Sequence, residues 1–250
     1  MGKKDPRGGF ETIRFEKKSA IAHIRLCRPD VLNVYNTQMR DDLYEILGAI
    51  NKDPDVKTVI VSGSGKKAFC AGADLSEFLT APSPDIARQV RWRRDVWGRF
   101  LSLPQPLIAA LHGYVLGSGL EIALCCDIRI CSQDTRFGVP EVGLGIIPAA
   151  GGSQTLPRII GTARAIEMLY TRGFITSTEA YRYKLVNQVV AWDDLQTAAF
   201  ELAQKISGFH PEAIQLAKRT VLRGLDLSLA AGLELEKRSS TALGRQCVKN

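Results

Sequence analysis

Two carboxylates stand where carboxylates are uncommon. Glu121 lies in the first turn of the apolar run LEIALCC, and Glu141 follows Pro140 in FGVPEVGLGIIP, a stretch without a neighbouring charge. Glutamate is seldom buried unpaired, so each position needs a reason. Burial would raise the proton affinity of such a group and bring it towards useful acid/base range. Plain alternatives stand beside this reading. Glu121 could make a favourable contact with a helix N-terminus, and Glu141 could pair with Arg136 or Arg158. The sequence leaves both open.

Two glycine-containing loops follow apolar strand-like runs: AFCAGADL at 68–75 and HGYVLGSGLE at 112–121. Small residues let a backbone approach a ligand, and a loop that feeds a helix presents unpaired N–H groups. Gly117, Ser118 and Gly119 precede an apolar helical run, so their amides could face developing negative charge. Two such loops meeting would form an oxyanion hole, each donor worth on the order of 3 kcal/mol of transition-state stabilisation. The bland alternative is that the glycines only turn the chain. A dinucleotide fingerprint fits poorly, because it needs glycine where Ile122 stands. A nucleophile elbow around Ser118 would need glycine at Leu116. With only His23, His112 and His210 present, a Ser-His-Asp arrangement has little to draw on.

The elements that must hold these loops have readable periods. Residues 10–26 alternate as a hairpin, with Ile13 and Phe15, then Ala22, Ile24 and Leu26, on the apolar side. From Thr37 to Asn51 the residues Met39, Leu43, Ile46, Leu47 and Ile50 form one helical face, with Asp41, Asp42 and Glu45 opposite. VKTVIVSGSG, LIAALHG and DIRICS read as buried strands, the last after a helical stretch from Ile122 to Cys126. Strands alternating with helices predict an α/β layered fold with chemistry at the strand ends. From Leu195 the pattern turns purely helical, with Leu195, Ala199, Leu202 and Ile206 on one face and Pro211 opening the next helix. The only soft boundary falls near 190–195, which divides the chain into 1–194 and 195–250.

Composition narrows the classes. With 45 % hydrophobic and 24 % charged residues the 250-residue chain is expected to be globular rather than disordered. No run of eighteen apolar residues and no secretory signal is found, and Pro6 stands where a myristoylation signal wants Ser or Thr. A soluble, cytoplasmic protein is the expectation. A net charge of +7 favours anionic partners without naming one. The six cysteines show no C-x-x-C pair and no metal-ligand spacing, so they read as buried free thiols, and no metal site is expected.

Three segments, KAFCAGADL, HGYVLGSGLEIALCCDIRI and FGVPEVGLGIIPAAGGSQTLPRIIG, resemble in order and spacing the successive signatures of the crotonase, or enoyl-CoA hydratase/isomerase, superfamily. RPDVLNVYN at 28–36 resembles that family's segment near the CoA, and the likeness runs from about residue 10 to about 240. It implies a spiral of repeated ββα units over 1–194, then a helical region at 195–250 that builds homotrimers, often paired into hexamers. The family's oxyanion hole falls on the backbone N–H groups of Ala73 and Ser118, and its two hydratase carboxylates on Glu121 and Glu141. Retention of both glutamates points to an enoyl-CoA hydratase. A Δ3-Δ2-enoyl-CoA isomerase using Glu141 alone is the alternative. The implied substrate is an acyl-CoA thioester with no separate cofactor, and the expected contacts are Arg28, Lys67, Ala71, Gly72, Asp74, Leu75 and Gly117; charge and proximity to the first loop place Lys67, with Lys66 beside it, against the CoA phosphates.

Two departures stand out. Ser118 replaces the usual glycine, and if φ there is positive, serine adds strain of about 1 kcal/mol or more and takes space beside the thioester. The sequence after LAAGLELEKRSS is only TALGRQCVKN, shorter than the helical continuation usual in the family. One stretch lies outside the motifs: Arg88, Arg91, Arg93, Arg94 and Arg99, interleaved with Trp92 and Trp97. It reads as a helix with Ile86, Val90 and Trp97 inward and solvated arginines, as a CoA contact, or as an RNA-binding surface on a non-enzymatic crotonase fold. The solvated helix is favoured over the other two, and neither nucleic acid nor membrane is an expected partner.

Overall fold

The alternating segment near the start folds as the hairpin its pattern predicts, β1 (Ile13–Lys18) antiparallel to β2 (Ile21–Leu26), with Ser19 supplying the left-handed turn residue at φ 54°. The computed structural model describes residues 9–77 and 83–247. Helix α1 (Thr37–Lys52) starts where Asn36 accepts the Met39 N–H and buries the five apolar residues of its predicted face. Asp42, expected outside, is buried with them. Its carboxylate accepts the Thr12 N–H (2.8 Å) and hydroxyl (2.7 Å), and the Gln38 amide donates to its other oxygen. A charge on the rim of an apolar face is thus drawn in by donors on a neighbouring segment.

Each of the next repeats sends one strand to each of two sheets. β3 (Thr58–Gly63), β5 (Leu107–Leu111) and β7 (Ile128–Ser132) join β1 and β2, with β10 (Gln188–Val190) at the far edge. β4 (Ala68–Cys70), β6 (Tyr114–Leu116), β8 (Arg136–Gly138) and the short β9 (Ile175–Thr176) form the second sheet. The pairs β3–β4, β5–β6 and β7–β8 therefore step along two sheets together, giving the expected spiral of ββα units. Between them lie α2 (Pro84–Arg93), α3 (Val96–Ser102) and α4 (Ser118–Leu124); α5 (Gly152–Ile160), α6 (Thr162–Thr171) and α7 (Ser177–Arg182) follow β8. Among the described residues no helix is long and apolar enough to cross a membrane.

Every residue of β3 is buried, which requires cover on both faces of the sheet. Val59 and Val61 face the main core shared with α1 and the second sheet. Ile60, Ile108, Ala110 and Ile130 face the other way and pack on α8 (Leu195–Ser207) through Leu195, Ala199 and Ala203. Leu202 and Ile206, expected on the inner face of that helix, are only partly buried at its edge. The first C-terminal helix is thus the second cover of the large sheet, and the packing loosens only after it. α9 (Pro211–Gly224) and α10 (Leu229–Cys247) pack on each other, tied to the sheet by Lys218, which donates to Asp127 (2.7 Å) and to the Gln105 carbonyl (3.0 Å).

The arginine-rich stretch is broken by Asp95 into α2 and α3. Arg94 turns to Asp41 and Glu45 on α1, Arg99 stacks at 4.0 Å on Tyr44, and Trp97 packs against Tyr35. Ile86, expected inward, is exposed. The side chains of Arg88 and Arg91 lie outside the described residues. Cys70, Cys125, Cys126 and Cys131 are buried free thiols.

Candidate active site

Three strands of the small sheet end side by side. β4, β6 and β8 run parallel with Cys70 beside Val115 and Leu116 beside Gly138, so the loops leaving them emerge at one edge. The carboxyl edge of parallel strands is where separate loops converge on a ligand. Here β4 delivers residues 71–77, β6 delivers Gly117 and α4, and β8 delivers Glu141.

A parallel bridge joins Tyr35 to Ala73. The Tyr35 N–H donates to the Gly72 carbonyl and the Asp74 N–H donates to the Tyr35 carbonyl, both at 2.8 Å. Because the bridge uses the residues flanking Ala73, the Ala73 N–H points to the opposite side. No described residue accepts it. The Ser118 N–H, at the first position of α4 where intrahelical acceptors are missing, likewise has no acceptor among the described residues. Strain at Ser118 does not arise. Gly117, one residue earlier, takes φ 49° and ψ −121°, and Ser118 is not among the non-glycine residues with positive φ. A Cβ on Gly117 would stand 2.6 Å from Glu141 Oε1 and 3.6 Å from the Gly72 Cα. The two glycine loops and the second carboxyl therefore meet at one point, with room there for hydrogen only.

Both glutamates are buried, 3 % and 9 % exposed for Glu121 and Glu141. Glu121 Oε1 accepts the N–H groups of Ala150 and Gly152, each at 2.9 Å. Gly151, at φ 105°, opens α5 and aims these amides. Two peptide donors favour the ionised carboxylate. Glu141 sits on the 3-10 turn Pro140–Leu144, and its Oε2 is buried with no hydrogen-bond partner. Burial pushes its carboxyl above the ordinary glutamate range, and the nearby charge of Glu121 pushes the same way. Among the described residues no ion pair joins Glu141 to either proposed partner: Arg136 donates to the Thr135 carbonyl and Arg158 to the Gln154 carbonyl. The partner of Glu121 is the start of a different helix from its own. The amides of the PAAGG segment were missed in the sequence, where a glycine pair ahead of a helix was their only signal.

The remaining expected contacts divide. Lys66 and Lys67 are exposed along a cleft of about 380 Å³ between Pro29, Asp30 and Leu32 on one side and Ser64 to Ala68 on the other. Arg28 does not line that cleft. Its Nη1 donates to the Val34 carbonyl (2.7 Å) and to Asp74 Oδ2 (3.0 Å). Ala71 is tied to the Leu32 carbonyl, Gly72 takes φ 112°, and Leu75 is exposed. Asn33, which no sequence signal singled out, is fully buried and bridges the two walls of the cleft. Its side-chain amide donates to the Ser64 and Ala68 carbonyls, both at 2.8 Å, while its Oδ1 accepts the Arg28 N–H. Among the described residues no group of three metal-ligating side chains is clustered.

The family model for enoyl-CoA hydratase/isomerase matches residues 16–247. The short-chain-enoyl-CoA hydratase of Clostridium acetobutylicum is 38 % identical over 227 residues, covering 91 % of this chain and 87 % of the relative. The crotonyl-CoA hydratase of Syntrophomonas wolfei is 34 % identical with the same coverage, 91 % and 87 %. The crystal structure of the enoyl-CoA hydratase from Bacillus anthracis superposes with a TM-score of 0.88 at 38 % identity, over 92 % of this chain and 90 % of that one. A match this long, in sequence and in fold alike, makes the chain a member of the enoyl-CoA hydratase/isomerase family.

Proposed function

We propose that this protein adds water reversibly across the 2,3 double bond of a 2-enoyl-CoA thioester. The observation that carries this reading is the meeting, at one strand edge, of two unaccepted peptide N–H groups with two buried carboxyls in opposite surroundings. The thioester oxygen lies between the Ala73 and Ser118 amides, which hold the charge it gains. Glu121, kept ionised by its two donors, removes a proton from a water between the carboxyls. The water oxygen bonds to the β-carbon as the double-bond electrons move onto the thioester oxygen. When the enolate collapses, the α-carbon takes the proton of Glu141. Glu121 then carries the extra proton and Glu141 the charge, so a proton passes back before the next turnover. Fixed amides and a fixed water let a weak nucleophile add.

Lys66 and Lys67 are placed for the CoA phosphates, with Ala71, Gly72, Asp74, Leu75 and Gly117 along the arm that leads to the thioester. Coenzyme A is part of the substrate, and the addition of water involves no change of oxidation state that would call for a redox partner. Val221, Leu222, Leu225, Leu229 and Leu233 expose apolar surface on α9 and α10, which supports docking of further copies into a homotrimer, paired as a hexamer. The cytoplasm is the proposed location. The orientation of Arg94 and Arg99 towards α1 favours the enzyme over an RNA-binding role.

The test is turnover of a panel of enoyl-CoA thioesters, followed as loss of conjugated enoyl absorbance. Crotonyl-CoA should be hydrated by the native protein, and by Glu141→Gln and Glu121→Gln each at least about 10²-fold more slowly. A native protein that only shifts a 3,4 double bond to the 2,3 position, with Glu121→Gln fully active in that shift, would replace this reading with the isomerase.

A further inference from the structure

Arg28 opens the segment RPDVLNVYN, the stretch whose likeness to the CoA-proximal segment suggested a phosphate contact. The geometry points to a different role: we infer that Arg28 is a positioning residue that holds the Ala73 N–H in line with the thioester oxygen, acting through Asp74. The inference rests on the part of the proposed function that seats the thioester oxygen between the Ala73 and Ser118 amides.

Arg28 grips both sides of the bridge that aims Ala73. One Nη1 donates to the carbonyl of Val34, the residue before Tyr35, and to Asp74 Oδ2, the residue after Ala73. Tyr35 itself clasps Gly72 and Asp74 through its backbone. Ala73 is thereby fixed from two directions, by backbone bonds at its flanks and by a guanidinium spanning the two chain segments. Both side chains are mostly buried, with 21 % and 17 % of their surface exposed. The remaining oxygen of Asp74 accepts the Ser76 hydroxyl (2.6 Å) and N–H (3.2 Å), so the carboxylate is held on both oxygens. These donors, Ser76 foremost and then Arg28, keep the Asp74 carboxyl below the usual aspartate range. The arginine is anchored in turn through its own N–H, which donates to Asn33 Oδ1 at 2.8 Å. A guanidinium with its charge already matched by a carboxylate is poorly suited to attract phosphate, whereas Lys66 and Lys67 have no carboxylate within salt-bridge distance among the described residues. The single Nη1 that makes both bonds is carried on a rigid plane, a better spacer than a flexible ammonium.

The experiment compares native protein, Arg28→Met, Arg28→Lys and Asp74→Asn on crotonyl-CoA and on crotonyl-pantetheine, a thioester without the nucleotide. A misplaced donor should lower kcat about 10- to 100-fold, by the same factor on both thioesters, with KM for crotonyl-CoA changed by less than about threefold. The Met/Asn double variant should be no slower than the worse single variant, because the two side chains act as one unit. Arg28→Lys should recover part of the loss. A second readout needs no turnover: the carbonyl stretch of bound crotonyl-CoA, lowered by the oxyanion amides in the native protein, should move back towards its free value in Arg28→Met. That shift present without hydration would sink the hydratase reading and leave this one standing. A raised KM on crotonyl-CoA alone, with kcat intact and crotonyl-pantetheine unaffected, would make Arg28 a phosphate ligand and overturn the inference. So would native kinetics and an unchanged carbonyl stretch in Arg28→Met. Asp74→Asn, nearly isosteric, gives the same comparison should Arg28→Met fail to fold by thermal melt.

Discussion

Glu121 and Glu141 are both buried on neighbouring elements at one strand edge, and the protein treats them in opposite ways. The region around Glu121 supplies two peptide N–H groups from the start of α5 to a single carboxylate oxygen. The turn that carries Glu141 leaves one oxygen buried with no donor and presses the other against Gly117. The first region offers its carboxyl two hydrogen-bond donors, and the second leaves its carboxyl without them. In the proposed reaction that difference makes one side chain the base and the other the acid.

The largest effect should come from erasing the difference in proton traffic. Glu121→Gln and Glu141→Gln should each lower hydration kcat by about 10²- to 10⁴-fold, with residual exchange of α-protons with solvent surviving only where Glu141 is kept. Measuring that exchange by mass in heavy water separates the two roles, and equal loss in both variants would break the comparison.

Displacing the carboxyls without removing them should cost less. A Cβ at Gly152 would lie 2.9 Å from Glu121 Oε1, and one at Gly117 2.6 Å from Glu141 Oε1. Gly152→Ala should lower kcat roughly 10-fold and Gly117→Ala roughly 100-fold, the second being worse because φ 49° adds backbone strain. Both are read from steady-state kinetics beside a thermal melt.

The pH profile should show the asymmetry directly. The carboxyl of Glu141 is raised above the ordinary value by burial, and the proposed reaction needs its protonated form. Activity therefore holds below that raised value and falls as pH increases through it, and this alkaline limb should be missing from the residual activity of Glu141→Gln.

The smallest effect is on stability, and its sign differs between the two sites. A carboxyl with a raised folded value contributes no penalty below the unfolded value, and it destabilises progressively as pH rises above it. Glu141→Gln should thus melt about 2–4 °C higher than the native protein near neutral pH, for about 1 kcal/mol, and lose that advantage in acid. Glu121→Ala should melt lower, since two N–H groups at the start of α5 lose their acceptor at about 1–2 kcal/mol.

How much of this was legible follows from the range of each signal. The α1 face, the hairpin and the buried strands come from local periodicity, and their residues fell where the pattern put them. Asp42 broke its pattern for a nonlocal reason, since donors on Thr12 drew it inward, and nothing in the sequence marked the exposure of Ile86. The site followed the same rule. Glu121, Glu141 and the glycine loops could be named from the chain because isolated carboxylates and small-residue turns are visible one residue at a time. Their surroundings could not.

The sequence alone determined the alternation of strands and helices, the positions of the two glutamates and the two glycine loops, whereas that Gly117 rather than Ser118 takes the positive φ came from the structure. The tertiary structure decided which strand ends lie together, that α5 rather than α4 supplies the partner of Glu121, and that Arg28 faces Asp74 instead of the lysine-lined cleft. The physical reason is range. Periodicity and backbone preference act within a few residues, whereas the pairing or orphaning of a buried polar group depends on segments that meet only after the two sheets have formed.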